Sequence, residues 1–167
     1  MANTYTLIAS NTVGSGGATD ITFSSIPSTY TDLALKFSFR GNGINFPSVY
    51  LDINGVTTNR SLKWLQGNGS AANSYSLTTP DVGTANTTSQ TASTFTNGEI
   101  YIPNYAGSNN KSFSIDNVTE NNATASYADL IANLWSSTAA ITSLKIYVNG
   151  QNLLQYSTAY LYGIKNS

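Results

Sequence analysis

The chain has 167 residues, a length that suits one domain and can bury a core without a cross-link. It contains no cysteine and no histidine, which excludes disulfides, thiolate chemistry and imidazole acid–base catalysis or metal ligation. Charged residues make up only 9% and the net charge is -1, so neither the basic stripe of a nucleic-acid binder nor a polybasic membrane segment is available.

The start, "MANTYTLIAS", has no basic n-region and no long apolar stretch, so no signal peptide is expected, and no apolar run reaches membrane-span length. "TYTLIAS" reads as a first strand, broken by the three glycines of Thr12–Ala18. "TDITFSSI" follows as a strand and Pro27 ends it. In "TDLALKFSFR", Leu33, Leu35, Phe37 and Phe39 alternate with Ala34, Lys36, Ser38 and Arg40, the pattern of a strand with one buried and one polar face. "SVYLDINGV" sets Val49, Leu51 and Ile53 against Tyr50, Asp52 and Asn54, and its Asn54–Gly55 pair is the strongest short turn signal. "SLKWLQGNG" is a further strand with a second such pair at Asn68–Gly69.

Ser70–Thr94 offers little to bury except Tyr75, Leu77 and Val82, and reads as a long surface loop with at most one short strand. Strands resume with "GEIYIPNYA", "KSFSIDNVTEN", "SYADLIANLWSS", "ITSLKIYVNG" and "STAYLYGIK". "YADLIANLW" could be a helical turn, but its flanks favour a strand. The expectation is an all-β, antiparallel, jelly-roll-like sandwich of eight to ten strands spanning residues 1–167. Its predicted core comprises Leu33, Leu35, Phe37, Phe39, Leu51, Ile53, Ile100, Ile102, Leu144, Ile146 and Val148.

Ser, Thr and Asn number 22, 22 and 20, yet eleven tyrosines and two tryptophans argue against disorder. The eight carboxylates form no recognisable catalytic pair. Asp20, Asp32 and Asp81 read as turn residues, and Asp52 and Glu99 as solvent-face strand residues. No serine has a base or a nucleophile elbow, and Lys36, Lys63 and Lys145 lie on polar strand faces. No catalytic residue, cofactor or metal is therefore predicted. Asp116, Asn117 and Glu120 in "SIDNVTENN" could offer oxygens to calcium, but a strand end and polar turn is the simpler reading. Trp64, Trp135 and the tyrosines, among them Tyr101 and Tyr105, could stack on a sugar or serve as core and subunit contacts. The six Asn-x-Ser/Thr sequons, at Asn59, Asn68, Asn86, Asn110, Asn117 and Asn122, follow from composition alone.

"YTLIASNTVGSGGATDITFSSIPSTYTDLALKFSFRGN" at the start and "SLKIYVNG…YSTAYLYGIKN" at the end resemble a family of tailed-phage virion structural proteins. The resemblance covers the first quarter and the last eighth of the chain. It implies a β-sandwich module that assembles rather than catalyses, as a capsid decoration (cement) protein or part of a tail fibre. The motif begins at Tyr5 with no stalk or heptad run before it, which favours decoration. The expected partner is then the major capsid protein, with a homotrimer on the capsid exterior of the virion, after synthesis in the host cytoplasm. The alternative is a small tail-fibre or baseplate protein that binds host surface glycans. Candidate subunit or capsid contacts are Lys36, Arg40, Tyr160 and Tyr162.

Overall fold

Thirteen strands and, among the described residues, no helix make up the fold in the computed structural model, which describes residues 4–123 and 125–165. The Asn166 of the closing "YGIKN" motif and the Thr124 of the Asn122 sequon lie outside the described residues. In chain order the strands are β1 (Tyr5–Thr12), β2 (Ile21–Phe23), β3 (Asp32–Gly41), β4 (Ser48–Ile53), β5 (Arg60–Gly67), β6 (Ala72–Leu77) and β7 (Asp81–Thr84). They continue with β8 (Asn86–Thr87), β9 (Thr96–Ile102), β10 (Lys111–Val118), β11 (Ala128–Trp135), β12 (Leu144–Val148) and β13 (Thr158–Ile164).

A large sheet runs β1-β13-β3-β9-β10-β11-β5-β6, with β8 attached to β3 in parallel, and a four-stranded sheet runs β2-β12-β4-β7. Every other pairing is antiparallel. The two sheets share one core, an antiparallel β-sandwich. All eleven predicted core residues are buried in it, none more than 2% exposed. Burying such side chains contributes about 1.5–3 kcal/mol each, and period 2 delivers them to one face of every long strand.

"YADLIANLW" is indeed a strand, because β11 lies between β10 and β5 with Ile131 and Trp135 inward. At Asn54–Gly55 both residues have positive φ, 53° and 73°, and Ile53 and Val56 exchange backbone hydrogen bonds across the turn. The second Asn–Gly pair closes the β5–β6 hairpin, where Asn68 Oδ1 accepts from the amides of Ser70 and Ala71.

Ser70–Thr94 corrects the expectation of a loop, since it supplies β6, β7 and β8, the three strands beyond the ten legible in sequence. β6 is exposed along its whole length, so no burial pattern marks it. β7 is buried along its whole length and carries a bulge that leaves Val82 unpaired between the Val49–Gly83 and Tyr50–Asp81 pairs, so alternation fails there too. Gly83 sits in this bulge at φ 142°, and a Cβ there would meet the side chain of Asn117 at 2.5 Å.

Candidate functional site

The outer face of the large sheet gathers three of the four residues predicted as contacts. Lys36 on β3 pairs with Tyr160 on β13, and Ala34 with Tyr162. On the other flank Lys36 pairs with Glu99 on β9, and Ala34 with Tyr101. Lys36 Nζ lies 3.0 Å from Glu99, and the bond and charge of that carboxylate raise the lysine's pKa. Tyr5 of β1 packs edge-on against Tyr162 at 6.2 Å. Tyr101 donates its hydroxyl to Asp32 at 2.7 Å, and that bond, with partial desolvation, pushes its phenol up to about 12. Further along the same face, Val118, Leu130 and Leu65 are exposed on β10, β11 and β5, with Leu130 paired to Leu65.

Arg40 is the correction. It shares the parity of Lys36, but the segment Thr88–Phe95 folds over it and leaves it 7% exposed. Its guanidinium donates to the carbonyls of Thr91 (2.8 Å), Thr94 (2.5 Å) and Gln90 (3.1 Å) and to Thr94 Oγ1 (3.3 Å). Arg40 is an internal strut for that segment and not a surface contact.

Several carboxylates are also not where sequence reading put them. Asp32 is buried at the start of β3 and accepts from Tyr101 and from the Asn104 amide at 2.9 Å. Asp52 is buried, 2.8 Å from Lys145 Nζ and 3.2 Å from the Tyr147 hydroxyl. Asp81 is buried within β7. Glu99 faces Asp116 across β9–β10, and partial desolvation followed by the charge of Glu99 raises the Asp116 pKa while Lys36 opposes. Of the calcium candidates, Asp116 and Asn117 leave opposite faces of β10. Asn117 Oδ1 accepts from the Thr84 amide, and Glu120 caps a turn by accepting from the amides of Asn121 and Asn122. The three oxygens do not converge.

Two buried cations went unnoticed in sequence. Arg60 donates to the Leu51 carbonyl at 2.6 Å, and desolvation lowers it to about 10 despite the nearby charge of Asp52. Lys111 donates to the carbonyls of Gly107 (2.7 Å), Ala139 (2.6 Å) and Ser137 (3.5 Å), and burial lowers its pKa. The signal was present: Arg60 shares inward parity with Leu62 and Trp64, as Lys111 does with Phe113 and Ile115.

A second feature lies inside the sandwich rim. β5 and β6 overhang the four-stranded sheet, and the gap is a cleft of about 290 Å³. Two edge-to-face aromatic pairs line it, Phe46–Tyr127 at 5.0 Å and Trp64–Tyr75 at 5.8 Å. Asp129 anchors one side: its Oδ1 accepts from Trp64 Nε1 and Gln66 Nε2, both at 3.0 Å, and its Oδ2 from Thr84 Oγ1 at 2.6 Å. Ser48 and Asp81 add polar groups to the lining. Trp135, by contrast, is a core residue 5.8 Å from Lys111 Nζ, and Tyr105 is buried with its hydroxyl donated to the Pro27 carbonyl.

Compared with protein families, curated proteins and solved structures, the chain finds no match. Among the described residues, no helix is long and apolar enough to cross a membrane, and no three Asp or Glu side chains are grouped to hold a metal ion.

Proposed function

We propose that this chain is a virion structural protein, a capsid decoration (cement) protein of a tailed phage that binds the assembled shell of major capsid protein as a homotrimer. The observation that carries the reading is the outer face of the large sheet, where Tyr5, Leu7, Leu65, Val118, Leu130 and Tyr160 stand exposed on a surface with few charges. Aromatic and aliphatic groups of this kind dominate the centres of interfaces, and a nearly neutral face can be covered with little charge to desolvate. The jelly-roll-like character expected from sequence belongs to the same proposal, since such sandwiches recur in viral capsid and lectin domains.

A decoration protein stabilises the shell by binding only its assembled form, so mass action favours that form. Particles lacking this chain should lose their genome at a lower temperature and still adsorb to cells normally. Poor adsorption with undiminished heat resistance refutes the assignment and favours the small tail-fibre or baseplate protein that binds host surface glycans.

A further inference from the structure

We propose that the cleft under the β5–β6 overhang is a carbohydrate-binding site for a single pyranose ring. The site goes beyond the assembly reading and does not depend on where in a virion the chain sits. Three features carry it.

The first is Asp81. It is only 4% exposed, it lines the cleft, and among the described residues its carboxylate has no hydrogen-bond or ion-pair partner. Its oxygens are not sealed from solvent, so they keep free acceptor capacity and can exchange water for the hydroxyl donors of a ligand. Two vicinal sugar hydroxyls can donate to its two oxygens.

The second is the pair of aromatic walls. Tyr75 and Trp64 on one pair of strands, and Phe46 and Tyr127 on the flanking segments, offer apolar rings to the C–H faces of a sugar. Tyr75 stays 41% exposed, although it lies on the core side of its strand beside buried Trp64, because no strand of the small sheet reaches it. The third is preorganisation. Asp129 holds the Trp64 indole and the Gln66 and Thr84 side chains in place before any ligand arrives, which lowers the ordering cost of binding. The volume sits at the small end of ligand pockets and suits one ring and not a chain. Ser48, also in the lining, supplies a hydroxyl able to donate or accept.

The test uses the intact protein and a panel of methyl glycosides of glucose, galactose, mannose and N-acetylglucosamine, followed by saturation-transfer NMR and tryptophan fluorescence. At least one glycoside should bind with Kd in the millimolar range, about 1–10 mM. Asp81→Asn and Tyr75→Ala should each weaken it at least tenfold with the thermal transition retained. Tyr75→Phe, which keeps the ring, and Leu130→Ala, on the opposite face of the sheet, should leave binding intact. No glycoside binding tighter than about 10 mM overturns the proposal. So does binding that survives both Asp81→Asn and Tyr75→Ala, or binding of tetramethylammonium in place of any glycoside, which would mark a cation cage.

Discussion

Replacing Arg40 by methionine keeps the aliphatic stem and deletes four donated hydrogen bonds, three of them to main-chain carbonyls of the Thr88–Phe95 segment. Hydrogen bonds from a charged group contribute about 1.5–3 kcal/mol each, but the gross sum overstates the loss. Thr91 and its neighbours are near solvent, so their carbonyls can rehydrate once the guanidinium is gone. The change also removes the desolvation that lowers the arginine's pKa. A net destabilisation of about 2–3 kcal/mol follows, which for a chain of this length lowers Tm by about 4–12 °C. Lys36→Met is the control, because its ion pair with Glu99 joins side chains 48% and 35% exposed, a setting in which such pairs contribute about 0.2–1 kcal/mol. Circular dichroism melts of the two variants, with limited proteolysis across Thr88–Phe95, measure the difference. If Arg40→Met melts with the wild type while Lys36→Met falls by several degrees, Arg40 is not a strut and the surface assignment of the two residues is reversed.

Asp129→Ala should cost about 3–5 kcal/mol, since it strands the Trp64 indole N–H along with the Gln66 and Thr84 donors, whereas Asp129→Asn, which can still accept from Trp64, should cost about a third of that in urea unfolding. At alkaline pH, Tyr101 and Tyr147 are both raised to about 12, Tyr101 chiefly by its bond to Asp32 and Tyr147 chiefly by desolvation. A phenol raised in the folded state contributes stability that is complete below its ordinary pKa of 10 and is lost as pH climbs through 12. The stability gap between wild type and Tyr101→Phe should therefore shrink across that window, with phenolate absorbance rising late. A gap that stays constant from pH 9 to about 12.5 refutes the link.

Much of the fold was legible because the apolar residues of most long strands recur with period 2. Leu33 to Phe39, Leu51 and Ile53, and Leu144 to Val148 all land in the core. What stayed hidden depends on neighbours that alternation does not encode. β6 has no buried face to announce it, and β7 has no exposed one. Arg40 has the parity of a solvent residue and is covered only because a segment fifty residues later folds across it. The tyrosine-bearing outer face was half legible: Lys36, Tyr160 and Tyr162 do meet, while Tyr5 and Tyr101 join them only through the β1-β13-β3-β9 order, which no local pattern reveals. The cleft was the least legible feature, because Phe46, Asp81 and Tyr127 come from three separate connections or short strands.

The place of β13 has a consequence for the order of folding. It lies between β1 and β3, and it is the strand through which β1 joins the sheet. On a growing chain, Tyr5–Thr12 is made long before Thr158–Ile164 and must wait for it before it has anything to pair with. Until then the Leu33–Phe39 strand presents an open edge. Closing so long a loop before any contact rewards it makes for slow folding, in the range of milliseconds to seconds typical of all-β topologies. A chain stopped short of Thr158 would lose two strands at once and leave a sticky sheet edge, so the arrival of Thr158–Ile164 is the step that completes the large sheet.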